Sequence, residues 1–178
     1  MVTYKFLAKG ARGPVSGFAW PRARGNAPGA WVEVEGPLTQ CAHGVHVCRT
    51  FDLAHWIHDE LWELEVDGDQ IEGTDCIVVR RARLVRRIAA WGAPATLKFA
   101  EACVEHAVAY VGAAAAVAVR ELLDDARFMA TNGYVALSAF TAALVVSRAS
   151  DDAAPAYRRE RAWQSACIAD RMLAPQHP

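Results

Sequence analysis

The tetrapeptide Trp91-Gly92-Ala93-Pro94 is where this sequence changes character, and reading outward from it in both directions decides the fold. Five of the six tryptophans lie at or before Trp91, and ten of the twelve glycines lie at or before Gly92. Beyond the tetrapeptide the chain is alanine-rich, with Trp163 its one tryptophan and Gly112 and Gly133 its two glycines. Helix interiors avoid glycine because ordering its backbone costs more entropy than ordering alanine. The reading is α+β: a loop-rich subdomain over residues 1–92, then a helical subdomain over residues 93–178 packed against it.

On the N-terminal side, residues 4–7 form a β-type run. Gly13-Pro14, Gly17, Pro21, Gly25, Pro28-Gly29 and Gly36-Pro37 then punctuate a stretch in which only residues 30–35 look extended. Residues 45–48 predict a short strand. Asp52 is placed to cap a short helix over residues 53–59, and residues 61–66 alternate as a strand should. Asp67-Gly68-Asp69-Gln70 predicts a turn, with further strands over 76–79 and 82–88. These elements predict a small, mostly antiparallel sheet with a short helix.

On the C-terminal side the spacing predicts four helices. Leu97, Val104, Val108 and Val111 mark the buried side of the first, which tolerates Pro94 just ahead of it. The second, over residues 113–130, buries Val119, Leu122, Ala126 and Met129 and stops at Asn132-Gly133, a pair suited to a left-handed cap. The third, over residues 134–149, is apolar around most of its circumference, which makes it the central helix or a homo-oligomer contact. The fourth follows Ser150-Asp151-Asp152 and turns Trp163, Cys167 and Leu173 inward, opposite Arg158, Arg159 and Arg161.

Composition narrows the function classes. In 178 residues, 53% are hydrophobic and 22% charged, enough for a packed interior and incompatible with wholesale disorder. Nineteen basic against 20 acidic side chains leave a net charge of −1, too balanced for general nucleic-acid binding through counterion release. The start, Met1-Val2-Thr3-Tyr4-Lys5-Phe6, lacks the pattern of an export signal, and no apolar run reaches the roughly 20 residues a bilayer span needs. Five scattered cysteines argue for reduced thiols. A cytoplasmic protein without a membrane anchor is expected.

The densest chemistry lies in Cys41-Ala42-His43-Gly44-Val45-His46-Val47-Cys48-Arg49. A strand puts His46 and Cys48 on one face, and the bend at Gly44 brings Cys41 and His43 back toward them. With His55 and His58 nearby, zinc ligand types are present. Their spacing matches neither paired Cys-x2-Cys nor His-Glu-x-x-His, so no metal or other cofactor is expected. A nucleophilic reading makes Cys48 or Cys41 a thiolate, with His46 or His43 lowering its pKa and Arg49 holding an anion. The plainer reading buries Cys48 as a thiol and gives His46 a hydrogen bond under the sheet. Glu63 and Glu65 share a strand face and suit either acid-base work or solvent. The run Arg80-Arg81-Ala82-Arg83-Leu84-Val85-Arg86-Arg87 is either a cationic stripe for phosphate or a charged strand that discourages aggregation.

Tyr4-Lys5-Phe6-Leu7, Gly29-Ala30-Trp31-Val32, the Cys41-x-x-Gly44-x-His46-x-Cys48-Arg49 block, Asp52-Leu53, Leu61-Trp62 and Arg83-Leu84-Val85-Arg86-Arg87 resemble an uncharacterised bacterial family. Its alanine-rich tail carries a motif like Glu160-Arg161-Ala162-Trp163-Gln164, and some members bear an immunity-protein label. The resemblance implies that Cys41, His46, Cys48 and Arg49 form one structural or binding unit, with His43, His55 and His58 outside it. The order of residues 44–48, a helix over 53–57 and a strand over 62–67 also looks like the strand-helix-strand order of ADP-ribosyltransferase-like folds, from which no residue role is carried over.

Two functions follow. One is a non-catalytic binding protein, of the immunity type, that meets a protein partner through an exposed surface. The other is a small enzyme acting on an anionic or nucleotide-like small molecule, in a pocket between sheet and helices lined by His46, Cys48, Arg49 and Tyr4, with Cys41 close by. The first predicts a sizeable exposed patch, the second convergent polar groups in the largest cleft.

Overall fold

A long hairpin organises the N-terminal residues in the computed structural model, which describes residues 2–112 and 115–173. Its limbs are β4 (Glu60–Glu72) and β5 (Ile77–Arg87), flanked by β1 (Thr3–Leu7), β2 (Val32–Glu33) and β3 (Val45–Val47). The chain divides into two units, residues 1–91 and residues 92–178, and the first contains the whole sheet. All pairings are antiparallel: β1 on β4, β4 on β5, and both β2 and β3 on the far edge of β5. The ladder then returns to its start. Tyr4 and Cys48 exchange both backbone hydrogen bonds, at 2.9 and 2.7 Å, so the strand end after β3 lies against the free edge of β1. A ring of strands results, and closure of this kind removes exposed edges.

Strand alternation sets the interior, with one break of phase on β5 between Val79 and Ala82, opposite the irregular register of β4 between Asp67 and Gln70. Trp62, Leu64 and Val66 of β4, Ile77, Val79, Ala82 and Leu84 of β5, and Val45 and Val47 of β3 belong to one core, which Leu7 and Trp20 complete. Trp91 packs edge-on against Phe6 at 5.1 Å and donates its indole N–H to the His58 carbonyl at 2.8 Å.

Three local readings need correction. Asp67-Gly68-Asp69-Gln70 is a bulge inside β4 and not a turn; Gly68 takes φ +81°, the register shifts between Asp67 and Gln70, and pairing resumes to Glu72. The reversal comes later, at residues 73–76, so the segments 76–79 and 82–88 are one strand. Asp52 lies within a 3-10 turn (Thr50–Trp56) whose cap is Arg49; its carboxylate reaches back to the Arg49 backbone N–H at 3.0 Å.

The second unit holds α1 (Ala93–Val108), α2 (Val117–Thr131), α3 (Val135–Arg148) and α4 (Ala153–Ile168), followed by a π-turn over Ala169–Leu173. The α+β reading with four C-terminal helices therefore stands, while the expected helix start at residues 113–114 lies outside the described residues. The third helix is central, packing on α1, α2 and α4. Small residues make this close approach feasible: Ser138, Ala139, Ala142 and Ala143 are fully buried. Ser138 donates to the Ala126 carbonyl of α2 at 3.0 Å, and Gln164 of α4 donates to the Ala139 carbonyl at 2.9 Å. Some expected core positions differ. Leu97 and Val108 are exposed, and Phe99, Ala100, Cys103 and Ala107 line the buried side of α1. On α2, Leu123 and Ala130 are buried where Leu122 and Met129 were expected.

One buried carboxylate ties the loop after β1 to the sheet. Glu60 accepts the N–H groups of Gly10 (3.0 Å) and Ala11 (3.1 Å) and the Trp62 indole N–H (3.0 Å). Gly10 and Ala11 both have positive φ, 84° and 55°, which turns their N–H groups toward one point. Burial opposes ionisation, but these donors and Arg87 outweigh it and hold the carboxyl below its ordinary value of 4.5. Its contribution is full above pH 4.5 and is lost as pH falls through the folded value. Glu60→Gln is expected to cost about 1–3 kcal/mol at neutral pH. Urea unfolding at a series of pH values should show that gap narrowing in acid.

Candidate functional site

The Cys41–Arg49 block forms a bend, a strand and a cap. His46 is spent on the block's own backbone, while His43 and Arg49 reach groups outside it, His43 the Glu35 carbonyl and Arg49 Asp52, Glu72 and Gly73. Thr39 and His43 bridge to close the bend, which holds Cys41 at φ 60°, a left-handed conformation uncommon for a side chain with a Cβ. His46 secures it. The imidazole accepts the Cys41 backbone N–H at Nε2 (3.0 Å), and Nδ1 lies 3.2 Å from the Gly44 carbonyl. These partners assign the proton to Nδ1 and leave both ring nitrogens occupied. Burial, and secondarily Lys5, lowers the His46 pKa, with the Gly44 carbonyl and Asp75 opposing.

Cys48 is buried in the strand end that pairs with Tyr4. Burial pushes its thiol up to about 12 despite the opposing charge of Lys5, so the thiolate that nucleophilic chemistry requires is strongly disfavoured. Cys41 is exposed. Arg49 grips the start of the 3-10 turn, with Nε 2.6 Å and Nη2 3.1 Å from the Asp52 carboxylate, Nη1 2.5 Å from Glu72 and Nη2 3.0 Å from the Gly73 carbonyl. Its guanidinium also lies 4.5 Å from the Phe51 ring. Tyr4 is buried, and burial followed by Glu63 raises its pKa. The structure brings Tyr4 to Cys48 through backbone bonds and the Cys41 backbone N–H to the His46 imidazole, but the four side chains do not converge as a reacting set.

Sequence reading missed Lys5. Its ammonium donates to the His46 carbonyl at 2.5 Å and lies 5.6 Å from the Trp20 ring centroid. Burial pushes its pKa down. Strand alternation explains the placement: the backbone groups of Cys48 face β1, so those of His46, two residues earlier, face the same seam. There Lys5 supplies the donor. The signal in the sequence was a lone lysine amid the apolar run Tyr4-Lys5-Phe6-Leu7, which resembles any alternating strand.

The arginine run is compensated. Glu63 pairs with Arg86 (2.6 Å), Glu65 with Arg83 (2.6 Å), Asp69 with Arg80 (3.3 Å), and Asp67 with Arg81. Arg81 and Arg83 also lie over Trp31, at 4.8 and 4.6 Å. The strand face carrying Glu63 and Glu65 is thus an ion-pair ladder.

The helical unit holds a second polar constellation that sequence reading placed wrongly. Glu160, Arg161, Gln164 and Ser165 are buried, whereas Trp163, Cys167 and Leu173 are half-buried. His106 of α1 contacts the Glu160 carboxylate through Nδ1 at 2.7 Å and stacks on Trp163 with centroids 3.8 Å apart. Gln164 bridges, donating to Glu160 at 3.2 Å and accepting from Arg161 at 2.8 Å. Burial raises the Glu160 pKa, and burial lowers that of Arg161. Such a network ties α4 to α1 through His106 and, through the Gln164–Ala139 bond, to α3.

Among the described residues no group of three or more His, Cys, Asp or Glu side chains is arranged to hold a metal ion, and no helix is long and apolar enough to cross a membrane. Comparison with protein-family models, with curated proteins and with solved structures found no match.

Two measurements test this local chemistry. His46→Ala is expected to cost about 1–2 kcal/mol by removing the acceptor that holds the Cys41 bend. Because folding lowers the His46 pKa, the folded chain binds fewer protons there; the contribution is full above 6.5 and fades as pH falls below it. Denaturation of the two proteins between pH 8 and 5 should show that convergence. In thiol labelling followed by mass spectrometry, Cys41 is expected to react in the native protein and Cys48 only after unfolding.

Proposed function

We propose that this protein works by binding a protein partner rather than by catalysing a reaction. The observation that carries this reading is that His46, Cys48 and Arg49 are each committed to holding the chain: an imidazole with both nitrogens on backbone, a buried thiol raised to about 12, and a guanidinium shared among Asp52, Glu72 and Gly73. A group so engaged must break a structural bond before it meets a substrate.

A surface suited to binding exists elsewhere. Leu137 and Phe140 of α3 are 53% and 43% exposed although that helix is otherwise the best-packed of its unit, and Tyr134, just before it, is 56% exposed. Phe140 meets Tyr157 of α4 edge-on at 6.3 Å. Solvated apolar side chains of this size, grouped on one helix, are the usual anchors of protein interfaces. The partner is therefore a protein with an apolar recess. An immunity-type role in a bacterial cytoplasm is what the sequence resemblance adds to this reading, and five free cysteines support a reducing setting.

Leu137→Asp combined with Phe140→Asp is expected to leave thermal unfolding within a few degrees of wild type and to abolish partner capture in the source cells. His46→Ala should retain capture. Undiminished capture by the double variant would overturn the assignment. A concentration-dependent dimer that the double variant loses, measured by sedimentation, would reassign the surface to self-association.

A further inference from the structure

The basic side chains at the N-terminus differ from those of β5 in one respect: their charge has no counterpart. Residues 1–32 contain Lys5, Lys9, Arg12, Arg22 and Arg24 and not one aspartate or glutamate. Arg12 and Arg22 are held by neutral acceptors, the carbonyls of Gly17 at 3.3 Å and Gly10 at 2.9 Å. Among the described residues, Arg12, Arg22 and Arg24 form no ion pair.

Two of these arginines line a recess. An open recess of about 630 Å³ is lined by Trp20, Pro21, Arg22, Ala23 and Arg24, and none of Tyr4, Cys41, His46, Cys48 and Arg49 lines it. Its walls are anchored. Trp20 is buried in the sheet core and its backbone N–H donates to the Ala11 carbonyl at 2.9 Å. Arg24 and Ala27 exchange both backbone hydrogen bonds, at 2.9 and 3.0 Å. Gly29 donates to the Leu84 carbonyl of β5 at 2.8 Å and lies so close to Pro21 that a Cβ there would sit 2.1 Å from the Pro21 oxygen. The two limbs of the loop are thus pressed together and fastened to the sheet, so the side chains at its mouth start from a fixed backbone.

We propose that this recess binds a small phosphate ester, with Arg22 and Arg24 holding the phosphate and Pro21 and the edge of Trp20 receiving the apolar part. Guanidiniums match phosphate oxygens in geometry as well as charge. The recess is open to solvent, so a ligand is held against one wall by the two arginines and is not enclosed. An uncompensated pair of arginines gains Coulomb energy from a dianion that the paired arginines of β5, already neutralised, do not. The site belongs to the first unit and is independent of the α3 surface.

The test is calorimetric titration of the full chain with phenyl phosphate, phenol and inorganic phosphate. Phenyl phosphate is expected to bind, to weaken as salt is raised, and to bind more tightly than inorganic phosphate, with phenol giving no heat. Arg24→Gln, which breaks no internal bond, should lower affinity by about tenfold, the scale of one charge-assisted hydrogen bond. Arg22→Gln with Arg24→Gln should remove binding, and Arg83→Gln should leave it unchanged. Absence of binding by the wild type, equal binding by the Arg24→Gln variant, or phenol or inorganic phosphate binding as well as the ester would overturn the proposal. Its outcome is independent of partner capture by α3, since the Leu137 and Phe140 substitutions leave this loop intact.

Discussion

The first unit depends on one closure, the return of the sheet to its own first strand. Five residues of β1 are paired along one edge to β4, and their other edge would be open but for Cys48. An unpaired edge is costly when buried and a template for aggregation when exposed. Tyr4 and Cys48 seal the start of that edge with backbone bonds, after which the strands diverge. At the divergence the Lys5 ammonium takes over, satisfying the His46 carbonyl where no backbone N–H can reach. The cost is a partly desolvated charge, and the depressed Lys5 pKa records it. Removing either device would leave a carbonyl unsatisfied inside the seam.

The same economy governs the Cys41–Arg49 block. Within nine residues it must leave a bend, cross the sheet once and enter a 3-10 turn, and each change of direction strands backbone donors or acceptors. His46 satisfies the bend, Cys48 the seam, and Arg49 with Asp52 the turn. A concentration of histidine, cysteine and arginine looks like chemistry because those residues carry it elsewhere. Here three conformational changes crowded into a short span account for their polar groups. The electrostatics of the two arginine groups separate along similar lines. Those of β5 face acidic residues on β4 because strand pairing places them opposite one another. Those of the N-terminal loop have no such partner strand, and their positive potential stays available.

Much of the fold was legible because composition and period speak directly to it. Glycine and tryptophan before Trp91, and alanine after it, separated sheet from helices without any pairwise information. The bulge at Gly68 was not legible, because Asp-Gly dipeptides also make tight turns and only the register of β5 decides between them. Helix faces were misassigned where large aliphatics were taken to be inside. Close helix packing selects small side chains, so Ala100, Ala107, Ala139 and Ala142 hold the interior while Leu97, Val108 and Leu137 lie at its margin or beyond. The burial of Glu160 and Arg161 ran against polarity; Gln164, one turn along the same helix, and His106, brought in by the packing of α1, make it tolerable.

The sequence alone determined the class of fold, the order of its elements and the segment where polar side chains gather, since these follow from local propensity and periodicity. Tertiary structure decided what those side chains do. Whether an imidazole is a base or a brace, a thiol a nucleophile or filler, an arginine a receptor or half of an ion pair depends on which groups lie within about 3 Å of it. Some of those neighbours are local, as Cys41 and Gly44 are for the His46 imidazole, but others come from residues far away in the chain: Lys5 reaches the His46 carbonyl, Glu60 reaches Gly10 and Ala11, and Glu160 reaches His106. Contacts at such separation are set by strand register and helix packing, which no local pattern encodes.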